Sequence, residues 1–177
     1  MHRIGRVSLC LFAAVCLGRT ALAEDAATPQ QQVARLLGQG LDRSHERLRA
    51  KYVFLPFALV LRKGGEIEQY GGHSGDELDA ATPDTLDVDP AKLLADLQQR
   101  VAREAKSPGD VVAVGFFLDT EVKLPNGRDS EAIEAELEHQ SGFCETVFEP
   151  YGHVDGQDLA YGAQITTKRT GAVFPCK

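Results

Sequence analysis

The chain has 177 residues, 19 basic and 26 acidic, giving a net charge of −7. That balance excludes nucleic acid and anionic membrane surfaces as partners and favours cationic ligands or basic proteins. The length suits one domain, able to bury roughly 70% of the surface its unfolded chain exposes.

Residues 1–23 carry Arg3 and Arg6, an apolar run from Val7 to Leu17, and a small-residue pattern at Ala21, Leu22 and Ala23. This is the layout of a secretory signal peptide cut after Ala23. The run is about half the ~20 residues a spanning helix needs, so no membrane segment is expected once the leader is gone. Cys16 follows an apolar stretch, but Val15 is too large a neighbour for a lipidated cysteine. Cleavage removes Arg3, Arg6 and Arg19 and takes the net charge to −10. It also removes Cys10 and Cys16, leaving Cys144 and Cys176. In a secreted or periplasmic protein such a pair forms a disulfide, worth roughly 3 kcal/mol for a loop of about 30 residues. The alternative is a free, reactive thiol.

Residues 24–177 read as a single domain without internal repeats. A short polar lead, 24–28, is expected to be flexible. Thr28 followed by Pro29 is a helix start, a hydroxyl to cap a free amide and then a proline whose missing N–H costs nothing. Val33, Leu36, Leu37, Leu41 and Leu48 form one stripe of the 3.6-residue period, so the first helix extends to about Ala50. Gly38 and Gly40 inside it imply either a close packing partner or an irregular helix.

Next come an apolar strand ending at Arg62, a three-residue Lys63-Gly64-Gly65 turn that sets Leu61 opposite Ile67, and a more polar strand at an edge. Residues 71–89 form a long acidic loop whose spacing does not match a calcium loop. Asp89 and Pro90 repeat the cap-and-proline start, and Leu94, Leu97, Val101 and Ala105 define the second helix. Asp110–Leu124 is a long central strand, apolar on both faces early and alternating late. Pro125-Asn126-Gly127 turns it into a hairpin spanning Ala132–Tyr151, and Leu159–Thr170 is the last strand.

The expected fold is therefore α+β: one antiparallel sheet of about five to six strands with two helices, in the order helix-β-β-helix-β-β-β-β. Both helices are placed on one face as the simplest way to bury their stripes. The element order resembles the roadblock and profilin type of α/β sandwich, departing from roadblock proteins in lacking a final helix. Ala132, Ile133, Leu137, Glu138, His139, Gly142, Pro150 and Tyr151 are similar to a segment in an uncharacterised group of small bacterial α/β proteins; that resemblance implies no activity.

In the hairpin, a two-residue Ser141-Gly142 turn sets Leu137 opposite Thr146, Ala135 opposite Phe148 and Ile133 opposite Pro150. One face is then apolar and the other carries Glu134, Glu136, Glu138, Glu145 and Glu149, with Lys123 and Lys168 on neighbouring strands available to neutralise it. A shift by one residue would put Leu137 opposite Glu145 and mix the faces. The acidic face is a candidate surface for a basic protein or other cationic ligand, and its bland reading is a solvated outer face.

The same register sets His139 beside Cys144. That pairing could activate a thiolate, unless the cysteine is bonded to Cys176. His73, His139 and His153 are weak candidates for zinc because their spacing matches no ligand motif. No cofactor motif is present. Two functions follow: an exported binding module with an acidic sheet face, or a hydrolase or metal-dependent enzyme using His139 with Cys144 or Glu138. A homodimer through sheet edges is a third arrangement.

Overall fold

The computed structural model describes residues 27–51, 53–72, 89–106, 110–154 and 158–177. The leader, most of the polar lead, the acidic segment 73–88 and His73 lie outside the described residues. The elements are α1 (Pro29–Lys51), β1 (Phe57–Arg62), β2 (Ile67–Gly71), α2 (Pro90–Lys106), β3 (Val111–Lys123), β4 (Asp129–His139), β5 (Cys144–Val154), β6 (Asp158–Tyr161) and β7 (Ile165–Lys168). All strand pairs are antiparallel, in the order β2-β1-β3-β4-β5-β6, with β7 also on β5. The α+β class and the element order match the sequence reading.

The two helix starts form as their residues dictate. Thr28 Oγ1 accepts from the Gln31 amide while Gln31 Oε1 accepts from the Thr28 amide, a reciprocal box that occupies two otherwise free donors. At α2, Asp89 Oδ1 accepts from the Ala91 amide.

The helices lie on opposite faces of the sheet, not on one. Val33, Leu36, Leu41 and Leu48 of α1 pack with Phe57, Leu59, Leu61, Phe117, Ile133, Ala135, Leu137 and Tyr151. Leu97 and Val101 of α2 pack with Ala58, Val60, Val114 and Phe116. The physical reason is in β1 and β3. Their residues are buried at consecutive positions, so both pleat faces are apolar and each needs its own cover. Gly40 lets α1 approach: a Cβ there would lie 1.8 Å from the Phe117 ring.

The last strand is broken. Tyr161 is opposite Tyr151, but Ile165 is opposite Phe148, so one extra residue is accommodated between them as a bulge. The break faces Pro150, which has no N–H to offer. It also inverts the alternation, putting Tyr161 on the α1 face and Ile165 on the α2 face.

Candidate functional site

The β4–β5 register overturns the expected acidic face. Leu137 is opposite Glu145, Ala135 opposite Val147 and Glu138 opposite Cys144, one residue away from the two-residue-turn register. The turn is instead Gln140-Ser141-Gly142, closed by the Gly142 amide on the His139 carbonyl and the His139 amide on the Phe143 carbonyl. Its third residue, Gly142, has φ +96°, the left-handed position that a three-residue hairpin requires and glycine supplies. The β1–β2 and β3–β4 turns have the same form, with Gly65 and Gly127 third. That shared pattern was the available signal for the register.

The five glutamates consequently divide. Glu145 and Glu149 stand on the α1 face, while Glu134, Glu136 and Glu138 stand on the α2 face. Glu138 is fully buried. Its carboxylate accepts from the Ala172, Val173 and Phe174 amides at 2.7–2.9 Å and from Arg169 at 3.0 Å. Arg169 also reaches Glu136 at 3.0 Å, and Gln98 of α2 donates to Glu136 at 2.8 Å. Burial raises the Glu136 and Glu134 carboxyls above the usual range. The neutralising base is thus Arg169; Lys123 pairs with Asp129 at the surface, and Lys168 stands opposite Glu145 on the other face. The bulge in the last strand sets this parity.

The C-terminal tail is therefore tied down twice, at Glu138 and by the Cys144–Cys176 disulfide, whose Cα atoms are 5.6 Å apart. Val173 and Phe174 complete the α2-side core. This use of Glu138 occupies the charge that the sequence reading offered to a ligand.

His139 and Cys144 are on opposite faces, so no thiol–imidazole pair exists. His139 is buried on the α1 face. Its Nδ1 accepts from the Ser141 amide at 2.9 Å and lies 2.8 Å from Ser141 Oγ. The proton is then on Nε2, which donates to Gln32 Oε1 at 2.8 Å. Burial lowers its pKa and keeps it neutral. Glu138, its neighbour in sequence, points the other way. His153 is exposed on β5. Among the described residues no three His, Cys, Asp or Glu side chains are placed to hold a metal ion.

Two groups escaped sequence reasoning. His45 of α1 meets Glu149 at 2.5 Å and packs its ring, tilted, against Tyr161 with centroids 3.9 Å apart, while Gln164 donates to the other Glu149 oxygen. This ties α1 to β5 and the edge strand, and nothing local in the sequence announces a contact across 104 residues.

The second group lies on an arm. β3 and β4 outrun their neighbours: the β1–β3 ladder ends at Phe57 opposite Phe117, and the last β4–β5 pair is Ala132 opposite Pro150. On the α1 side of the arm are Asp119, Glu121 and Glu131, and at its tip the paired Lys123 and Asp129, with Glu121 and Glu131 directly opposite each other. Like charges so placed repel. Asp119 is half-buried and accepts from the Tyr151 hydroxyl at 2.7 Å. Burial, opposed by hydrogen bonds from Tyr151 and from the Phe54 and Thr120 backbone and reinforced by the nearby Glu131 charge, pushes its carboxyl up. Among the described residues no basic side chain pairs with these three acids.

A cleft of about 240 Å³ opens here between the acids and an apolar wall of Val53, Leu55, Pro56 and Pro90. A larger hollow of about 460 Å³ beside β2 is lined by Glu68, Tyr70 and Arg100. Its acid is already engaged, since Arg62 holds Glu68 at 2.7 Å and Glu104 at 3.1 Å, and Tyr70 donates to Glu104. The smaller cleft is distinguished by acids with which, among the described residues, no basic side chain pairs. Its signal in the sequence was the Pro125-Asn126-Gly127 turn, whose three-residue form sets Glu121 against Glu131.

No protein-family model, curated protein or solved structure matches the chain.

Proposed function

We propose that the protein is an exported binding module whose arm-side cleft receives a cationic group, a lysine or arginine side chain of a basic partner. The observation that carries this reading is Asp119, a half-buried carboxylate held by Tyr151 at 2.7 Å beside Glu131, without a basic partner among the described residues. A cation there would relieve both the burial cost and the repulsion between Glu121 and Glu131. The cleft is smaller than the ~300–1,000 Å³ typical of small-molecule sites, which suits one side chain better than a cofactor. Its apolar wall would cover the methylene stem while the acids take the charged head.

Export is supported by the leader pattern and by the disulfide. No helix among the described residues is long and apolar enough to cross a membrane. The acidic net charge favours encounter with basic proteins.

The test is a titration of the purified protein with Nα-acetyl-lysine amide and with n-butylamine, followed by amide chemical shifts. Saturable shifts at Asp119, Glu121 and Glu131 that weaken at high salt are expected, with Asp119→Asn lowering affinity about tenfold, or ~1.4 kcal/mol. Affinity should rise with pH as the Asp119 carboxyl ionises. Unchanged affinity in the double variant Asp119→Asn, Glu131→Gln would overturn the reading.

A further inference from the structure

The β1–β3 ladder stops for a reason written in the chain. Continuing its register would set Pro56 opposite Leu118, where the ring fixes φ at about −65°, away from the extended strand value, and the Pro56 carbonyl lies on the β2 side by Gly71. The chain leaves β3 at that point, while β3 continues to Lys123. Among the described residues, no strand pairs with β3 on the β1 side beyond Phe117. The cleft described above is the gap between this open edge and the departing residues Val53–Pro56.

We infer, resting on the reading of the cleft as a cation site, that its occupant is an extended segment of a basic protein, which adds as a strand to the open edge of β3 between Leu118 and Lys123. Main-chain hydrogen bonds would supply affinity that is independent of side chains, and alternate residues would supply specificity. Because successive side chains of a strand point to opposite faces, every second residue of the segment faces the side bearing Asp119, Glu121 and Glu131. The positions beside Asp119 and Glu121 take lysine or arginine, while the one beside Lys123 does not. The intervening positions face the side of Thr120 and Val122, which takes small or β-branched residues. The recognised chemistry is thus alternately basic, β-prone polypeptide.

Charge chooses this occupant over the other strands that could pair with such an edge. A second copy paired through the same edge would bring its own Asp119 and Glu121 toward these acids, with Lys123 as the one positive charge of that edge. The chain's own segment 73–88 has five acidic residues and no lysine or arginine.

The experiment uses the purified protein and the capped peptide Val-Lys-Val-Lys-Val. Two analogues are N-methylated, one on the lysine amides and one on the valine amides. An edge strand directs only alternate amides at its partner. One analogue should therefore bind at least tenfold more weakly than the parent, and the other within about threefold. The parent should slow hydrogen exchange at amides between Leu118 and Lys123. If both analogues bind like the parent, strand addition is wrong although the cation reading stands. If lysine amide binds and the peptide gains nothing over it, strand addition is again wrong. If neither binds, both readings fall together. Concentration-dependent doubling of mass, with protection of the same amides in the absence of peptide, would assign the edge to a second copy.

Discussion

The guanidinium of Arg169 and the carboxylate of Glu138 meet at 3.0 Å in the interior, where the same carboxylate also gathers three consecutive tail amides. Removing one partner of such a pair leaves the others buried and unmatched. Glu138→Gln should cost about 3 kcal/mol, a fall in Tm of roughly 6–12 °C. Glu145→Gln, on the other face, should cost less than about 0.5 kcal/mol. Thermal unfolding of both variants is the check, and equal losses would contradict the register.

The disulfide and Glu138 hold the same tail. Cys144→Ser with Cys176→Ser should cost up to roughly 3 kcal/mol through the unfolded chain. Combined with Glu138→Gln, the losses should sum to less than their separate values by about 0.5 kcal/mol or more. A tail already loosened at one tether has less to lose at the other. Denaturant unfolding of the full cycle measures the coupling, and strict additivity would mean the tethers act independently.

Two glycines of α1, two residues apart, should respond in opposite directions. A methyl group at Gly40 collides with the Phe117 ring, whereas at Gly38 it meets nothing within 4 Å. Gly40→Ala should therefore destabilise by about 1–3 kcal/mol. Gly38→Ala should stabilise by about 0.5–1 kcal/mol through helix propensity. Chemical denaturation of the pair decides it.

His139 gives the fold a defined pH dependence. Its pKa in the fold is below the ordinary 6.5 because the ring is buried. The unfolded chain thus binds the proton first, and the stability that neutral His139 supplies is complete above about 6.5 and lost as pH falls through the folded value. Asp119, Glu134 and Glu136 act oppositely. Their carboxyls are raised above 3.8, 4.5 and 4.5 respectively, so acidification toward those values favours the fold. As pH is lowered from 7.5 to 5, Tm of His139→Asn should move upward relative to the parent protein, because the variant lacks the loss that His139 imposes. Parallel curves would show that His139 does not set the slope.

Much of the fold was legible because it rests on short-range chemistry. Thr28-Pro29 and Asp89-Pro90 start helices wherever they stand before an apolar stripe, and Lys63-Gly64-Gly65 fixed the β1–β2 register as read. The same logic, applied to Gly142 as a third turn residue rather than a second, would have given the β4–β5 register. The preference for separating apolar from acidic residues misled instead. That preference assumes one face is wet, and here both faces are covered.

By itself, the sequence determined the α+β element order, the helix caps and stripes, the edge position of β2, the central position of β3, and the pairing of the two cysteines outside the leader. Each follows from a local period, a turn residue or a count. The tertiary structure decided the rest: helices on opposite faces, Glu138 turned inward to Arg169 and the tail, His139 separated from Cys144, and Asp119 half-buried against Tyr151 beyond the point where the β1–β3 ladder ends. These depend on strand parity, which a single bulge or one-residue turn shift inverts, and on groups far apart in the chain. No local pattern carries that information; only the assembled sheet does.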